Sequence, residues 1–595
     1  MFGKIIYISD TCAHVAMLPN QRIATNLMNI HVVFEDTNCR VLGEINDIDA
    51  DKIKVSFLGE FQGDKFYSGI VRKPTLASRL RLINKDELAI IIGTTGTGNF
   101  LIGGSVLYNG YPILVSTNDF FSNHLAIFGN TGSGKSCGVA RIMQNLFSTP
   151  NFVPYNANFL FFDSYGEYHT AFQDIGKLNP NYNFKFFGTN SNLEADKQIR
   201  LPLWLLNIDD YALLLDATQH SQLQIIERML QIVNVFSGDP EQAKRYKNHL
   251  IAKAVMDILY TNQTAASKRN DVFDLIATCN TKEFSLETQV QGVGYVRSFR
   301  NCFMIDTKGN FPELNLLTEY VSGFIDDEYD KLEHKTPGYY TLEDLENALN
   351  FTLISEGMLR NQSLYDDAIL LKVRMHSLVN GDYARFFRYP EHVTLENYVA
   401  SLVATNDGKA QIINFNLDEV DDSFAKSLTK IYARLLFMFT KKLGNRASIP
   451  FHIVLEESHR YVQNDNDRFL LGYNIFERIA KEGRKYGIIL DLISQRPVEL
   501  SETVLSQCSN FLIFKMTHPR DIEYISKMLP NISADIIEKQ KSLQPGTCVA
   551  FGKSFKVPMI VKLKMPDPEP QSGNCDVVDR WQIRESQQVE EEASV

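Results

Sequence analysis

The chain has no CxxC pair. Its eight cysteines, at positions 12, 39, 137, 279, 302, 508, 548 and 575, are scattered. That excludes a zinc site or a disulfide framework built on paired cysteines and fits a reducing, cytoplasmic setting. It also lacks an uninterrupted apolar run approaching a membrane-spanning length, and its opening MFGKIIYISDTCAHVAML has no signal-peptide layout. Neither a membrane anchor nor export is expected. A surplus of positive charge is missing too: the formal net charge is −11. This argues against a generally adhesive nucleic-acid binder, while a narrow basic surface such as the inner wall of a ring remains compatible with it. What is present is length: 595 residues, 44% of them apolar, suit two to four globular domains.

One stretch organises the rest. Residues 125–136 read LAIFGNTGSGKS, a short apolar run followed by GxxxxGKS from Gly129 to Ser136. Helical spacing then runs through Val139, Met143 and Leu146. Strand, glycine loop and helix in that order are the context of a Walker A motif. The glycines let the backbone wrap phosphates, and the helix N-terminus offers free N–H groups with a partial positive charge. Gly129, Asn130, Thr131, Gly132, Ser133, Gly134 and Cys137 would line the nucleotide. Lys135 would reach the β- and γ-phosphates of ATP, and Ser136 would hold Mg2+. A plain glycine turn explains the glycines but not the Lys-Ser pair.

Residues 1 to about 115 read as all-β, with short β-branched and aromatic stretches at 4–8, 29–35, 51–59 and 65–71 separated by Gly and Asp/Asn turns. A small barrel is the economical arrangement, because closure removes exposed edges. Further strands are expected at 125–129, 158–163 and 184–188. Asp163 ends the second, where it suits either the neighbourhood of Mg2+ and water or the capping of a turn. From about 200 to 400 the pattern is helical, with amphipathic segments at 223–236, 247–260 and 366–379. This region reads as an insertion filling its own small core, with Met229 and Met375 as packing.

The sheet resumes at QIINF (411–415), and FHIVLEESHRYV (451–462) has the Walker B form. Glu456 would position Mg2+, and Glu457 would orient and polarise the attacking water. NIFERIAKEGRKYG (474–487) ends in a basic turn. Arg484 is either an ordinary helix-end cation or an arginine finger aimed at a neighbour's γ-phosphate. Gln495, after the strand IILDLIS, suits a γ-phosphate sensor. Substitutions at Lys135, Glu457 and Arg484 are expected to touch chemistry and not the fold, since each lies at an element's end. The tail from 565, with Pro566, Pro568, Pro570 and Glu590–Glu592, reads as either mobile or an extended clasp onto a neighbour.

With these motifs placed, the chain resembles the HerA family of hexameric ATPases, within the wider HerA/FtsK group of DNA pumps. The resemblance rests on GNTGSGKS (129–136), FFDSYGEY (161–168), LPLW (201–204), VLEESHRYV (454–462), EGRKYG (482–487), SQRP (494–497) and LQPGTCVAFG (543–552). It implies an α/β fold: a RecA-like P-loop NTPase core with an N-terminal small β-barrel and a helical insertion. The corresponding limits are 1–115 for the barrel, 116–200 and 401–564 for the core, 201–400 for the insertion and 565–595 for an acidic tail. It places Asp163 and Glu167 near the site, makes Glu456 and Glu457 the Walker B pair, Arg484 the trans-acting arginine and Gln495 the sensor. It further implies a ring, six-fold in known relatives, that moves double-stranded DNA. A protein effector, such as a nuclease or a sirtuin-like NAD hydrolase, would work beside it in DNA end processing or antiphage defence. The chain's divergence looks closer to the bacterial defence type. The alternative is an ATP-controlled scaffold or regulator of a bound effector. Two departures stand out: Glu-Glu-Ser-His (456–459) where the family has Asp-Glu-Ala-His, and Ser164-Tyr165 where it often has Pro-His. The first keeps the charge on a longer arm.

Overall fold

The computed structural model describes residues 2–18, 27–37, 39–49, 51–94, 96, 98–329, 338–355, 362–463, 470–528, 539–573 and 577–581. Seven strands open the chain: β1 (Phe2–Ile8), β2 (Cys12–Met17), β3 (His31–Glu35), β4 (Arg40–Ile48), β5 (Lys52–Gln62), β6 (Lys65–Ser68) and β7 (Arg79–Leu82). They pair antiparallel in the order β1-β2-β5-β4-β3-β7, with β6 on β5. Val15, Val32, Phe34, Val41, Ile45 and Val55 fill the concave side. The sheet curls until β1 and β7 approach, yet among the described residues these two strands do not pair. The expected closed barrel is therefore a half-barrel. Register shifts between β1 and β2 make the pairing at that edge irregular.

The all-β expectation for this region also misses a helix, α1 (Lys85–Ile92). Asn84 and Glu87 form a reciprocal capping box at its start, and Arg81 clamps the same Glu87 at 2.8 Å. The next hairpin, β8 (Asn99–Ser105) and β9 (Pro112–Ser116), falls inside the stretch that the sequence assigns to the N-terminal barrel. It is hydrogen-bonded into the large central sheet instead.

Among the described residues that sheet has eleven strands. Besides β8 and β9 they are β10 (Leu125–Phe128), β11 (Phe159–Asp163), β12 (Phe184–Gly188), β13 (Ile412–Asn416), β14 (Phe451–Leu455), β15 (Ile488–Ser494), β16 (Asn510–Ile513), β17 (Thr547–Gly552) and β18 (Met559–Lys562). The order is β12-β13-β11-β14-β15-β10-β16-β17-β18-β8-β9. From β12 to β16 the strands run parallel; the remainder is antiparallel. Every residue of β10, β11, β14 and β15 is buried, which is why their sequences read as near-continuous apolar runs. Period two still sorts the faces. Ala126, Phe128, Leu160 and Phe162 join one core, while Leu125, Ile127, Phe159 and Phe161 join the other with helix α2 (Lys135–Phe147).

The helical region does not have its own small core, contrary to the sequence expectation. Helices His220–Phe236, Pro240–Leu259, Leu342–Ser355 and Gln362–Asn380 pack together. Their buried side chains are continuous with one face of the sheet through Trp204, Tyr211 and Tyr432. Met229 and Met375 are fully buried, as packing residues should be. Among the described residues, no helix is long and apolar enough to cross a membrane.

At the N-terminal edge of the parallel strands, the His124 ring accepts from the Leu490 amide through Nδ1 at 2.9 Å and donates from Nε2 to the Ala480 carbonyl at 3.1 Å. Only the neutral ring can do both, and burial lowers its pKa to about 4. An unfolded histidine takes its proton near 6.5, so the unfolded state binds more protons between pH 6.5 and 4. Stability from this residue is present above 6.5 and lost as pH falls towards 4, by up to about 3 kcal/mol. Denaturant titrations from pH 7.5 to 4.5 should show this loss, reduced in His124→Gln.

Candidate active site

The C-terminal ends of parallel strands form one edge of the sheet, and five of the expected groups lie along it. The phosphate loop leaves β10 at Gly129; Asp163 ends β11; Glu456 and Glu457 follow β14; Gln495 follows β15. The register puts Phe128 opposite Ser494 and Leu455 opposite Phe162, so the edge is level. β15 lies between the phosphate-loop strand and the strand that carries the acidic pair.

The loop itself is held by distant residues. Gly129 N donates to Ser494 O at 3.3 Å, Asn130 N to Lys515 O at 3.0 Å, and Gly546 N to Ser133 O at 2.9 Å. Asn130 Nδ2 also reaches Thr517 Oγ1 at 2.6 Å. Gly132 and Gly134 have φ of 74° and 84°, in the left-handed region. A Cβ on Gly134 would lie 2.6 Å from Gly546 N, so this position needs glycine for both conformation and space.

Lys135 opens α2 and is 7% exposed. Its Nζ lies 3.3 Å from Glu457 Oε1 and 3.7 Å from Glu456 Oε1. Adjacent residues on an extended strand point to opposite faces. Both carboxylates reach one ammonium because the chain leaves β14 at Leu455 and Glu457 takes φ 48°, ψ 48°. A side-chain-bearing residue held there costs about 1–3 kcal/mol, a strain characteristic of functional sites.

The two carboxyls are pushed apart in acidity. Burial raises Glu456 to about 8, with Lys135 opposing and Glu457 adding; Tyr168 donates its hydroxyl to Glu456 Oε2 at 2.8 Å. For Glu457, burial is outweighed by His459 and Lys135, so its pKa lies below the ordinary glutamate value. Burial alone would lower the Lys135 ammonium, but the two glutamates hold it above the ordinary lysine value. The edge therefore carries one carboxyl that favours its proton beside one that stays ionised.

The other expected residues divide. Asp163 is fully buried, and its oxygens accept from Glu167 N at 3.0 Å, Tyr168 N at 2.9 Å and Asn414 Nδ2 at 3.0 Å. Of its two open uses, this is the capping of a turn. That turn brings Glu167 against Ser136, which hydrogen-bonds its carboxyl; burial raises the Glu167 pKa. Gln495 accepts from Thr131 Oγ1 at 2.7 Å, which ties the strand after the acidic pair to the loop. Cys137 lies one residue past Ser136, its Sγ 3.9 Å from Ser572 Oγ. Arg484 is elsewhere. It precedes β15, donates Nε to Ser122 O at 3.2 Å and is exposed at the opposite edge, roughly 20 Å of strand away.

Sequence reasoning quoted but did not assign Tyr168, His459 and Gly546. Each stands inside a motif whose acidic or glycine neighbours drew the attention. It also left the tail open. Residues 565–573 run along their own chain: Arg141 donates to Met565 O at 3.3 Å, Gln144 pairs with Asp567 N and Pro568 O at 2.9 Å each, and Gln571 N donates to Glu167 O at 2.8 Å. Glu590–Glu592 lie outside the described residues.

The residues present fit a magnesium nucleotide. Ser133 Oγ and Glu167 Oε2 are buried without hydrogen-bond partners, and Glu457 Oε2 is approached only by His459 Nδ1 at 3.2 Å, an acceptor-rich pocket beside a glycine loop. Among the described residues, no three His, Cys, Asp or Glu side chains converge as a metal cage. An ion held here by Ser136 and Glu456 would therefore share its coordination with phosphates and water, the habit of Mg2+.

Comparison with known proteins agrees. A family profile described as "Helicase HerA, central domain" matches residues 101–288. The DNA double-strand break repair helicase HerA of Saccharolobus solfataricus is 31% identical over 187 residues, 31% of this chain and 37% of that one. The protein of the same description from Sulfurisphaera tokodaii is 31% identical over 192 residues, 32% of this chain and 38% of that one. The matches thus span a little over a third of these relatives' length. A solved structure, VirB4 of Thermoanaerobacter pseudethanolicus, superposes with a TM-score of 0.44 at 11% identity, covering 79% of this chain and 98% of that one. With its phosphate loop, acidic pair and intervening strand in place, the chain is similar over residues 101–288 to the central domain of HerA helicases, and over a comparable length to archaeal HerA proteins.

Proposed function

We propose that this protein is an ATP-driven motor that hydrolyses ATP at a site shared between copies and moves double-stranded DNA through a ring, six-fold as in the family it resembles. A protein effector, a nuclease or a sirtuin-like NAD hydrolase, would use that motion in end processing or antiphage defence. The observation that carries the catalytic part is Lys135 held between Glu456 and Glu457 at the mouth of the phosphate loop. In this reading Lys135 and the loop amides bind the phosphates, and Ser136 and Glu456 hold Mg2+, which neutralises developing charge on the phosphoryl oxygens. Glu457 orients and polarises water, while Gln495 senses the γ-phosphate through its tie to Thr131. The place of Arg484 supports the ring: if this arginine serves a phosphate, that phosphate lies on another copy. The limits at 200, 400 and 564 belong to the same proposal; the limit at 115 does not, since β8 and β9 lie in the central sheet.

The test is steady-state ATP hydrolysis by the purified full chain of known oligomeric size, with and without linear duplex DNA, using Glu457→Gln as the blank. A several-fold DNA-dependent rise is expected. Slow hydrolysis indifferent to DNA would overturn the motor and leave the ATP-controlled scaffold, whose effector would then be sought by co-purification.

A further inference from the structure

His459 lies in the turn Ser458–Arg460 directly after the acidic pair, and its side chain is 14% exposed. Its Nδ1 sits 3.2 Å from Glu457 Oε2 and 3.2 Å from Ser494 Oγ. The other Glu457 oxygen is taken by Lys135. Glu457 is therefore gripped from two sides while its backbone stays in the left-handed region, and the His459 grip is the one that a bound phosphate would not compete for.

Ser494 is not a bystander. Fully buried at the end of β15, it accepts the Arg496 amide on Oγ at 3.0 Å and the Gly129 amide on its carbonyl at 3.3 Å. One nitrogen cannot serve both neighbours with the same proton. With a proton, Nδ1 donates to Glu457; without one, it accepts from the Ser494 hydroxyl. Since Arg496 N already donates to that hydroxyl oxygen, the hydroxyl proton is free to turn towards the ring.

We propose that His459 is a positioning residue: with its proton on Nδ1 it aims the Glu457 carboxylate 3.2 Å away, and Ser494 Oγ holds the same nitrogen when that proton is absent. This rests on Glu457 acting on water, as argued above. The chemistry makes a specific demand. Asparagine places an amide nitrogen two bonds beyond Cβ, where Nδ1 stands; glutamine places one three bonds beyond, where Nε2 stands. The grip should therefore survive His459→Asn and fail in His459→Gln and His459→Ala.

The experiment compares kcat, KM and fluorescent ATP-analogue binding for the full chain and for His459→Asn, His459→Gln, His459→Ala and Ser494→Ala, with thermal melting as the folding control. His459→Ala and His459→Gln should lower kcat about 10- to 100-fold, with KM and analogue affinity within about threefold. His459→Asn should recover at least half of that loss on a logarithmic scale, and Ser494→Ala should cost less than His459→Ala. Equal kcat in the Asn and Gln variants, or loss that follows analogue affinity in place of kcat, would overturn the assignment. If the alanine variant does not fold, the Asn–Gln contrast still decides. A wild type that hydrolyses ATP with an active Glu457→Gln variant would show instead that the Glu457 reading is wrong, and the His459 role would fall with it.

Discussion

Glu457→Gln should stop turnover by about 10²- to 10⁴-fold while ATP still binds, because the amide keeps the shape but cannot take a water's proton. Lys135→Ala should lose binding, and here the structure changes the expected result. The side chain is 7% exposed and is the cation between Glu456 and Glu457, with Glu167 close enough to act on it. Removing it strands buried negative charge, which costs about 3–5 kcal/mol when one partner of a buried pair is lost, less whatever the carboxyls recover by taking up protons. Lys135→Ala is therefore expected to touch the fold as well as the chemistry. Calorimetric titration with ATP should show binding lost in Lys135→Ala and kept in Glu457→Gln. Denaturant titration without nucleotide should show Lys135→Ala the less stable of the two. Equal stability would mean that the cluster is not ionised in the free protein.

The second large effect concerns Arg484. Within one chain it cannot meet the phosphate loop, since the length of β15 lies between them. If it completes a neighbour's site, Arg484→Ala should lower kcat by about 10³- to 10⁵-fold, as loss of an arginine finger does. Arg484→Ala and Glu457→Gln subunits mixed in one assembly should regain activity, because some sites then combine an intact Glu457 with an intact Arg484. Steady-state hydrolysis against mixing ratio, with co-assembly verified by differently tagged subunits, is the measurement. A flat zero across all ratios would assign Arg484 to its contact with the Ser122 carbonyl and nothing further.

The parallel strands were legible because burial on both faces leaves little but Val, Ile, Leu and Phe: LAIF, FLFF, FHIVL and IILDLIS announce themselves. β2 and β4, with His14, Glu44, Asn46 and Asp47 among their apolar residues, did not. α1 was hidden because its capping box, Asn84 to Glu87, lies in a region scanned for alternation. In the site, the acidic pair could be picked out by type, but not its convergence on Lys135. That depends on one left-handed residue, Glu457, which no spacing rule announces. Tyr168 and His459 had no signal of their own; their partners, Glu456 and Ser494, lie 288 and 35 residues along the chain.

The phosphate loop is made early and finished late. Its neighbours in the sheet, β15 and β16, begin at Ile488 and Asn510, and the amide that holds Ser133 O belongs to Gly546. A ribosome adding ~5–20 residues per second needs about 20–80 s to travel from Gly129 to Gly546. Until β15 and β16 have been made, Leu125–Phe128 is an apolar segment with neither neighbour available, a template for pairing with the wrong chain. The ability to hold a nucleotide thus waits until Gly546 has been made. A nascent chain cannot use ATP to protect itself before then, so its yield should depend on how quickly residues 488–546 emerge and on what shields β10 until they do.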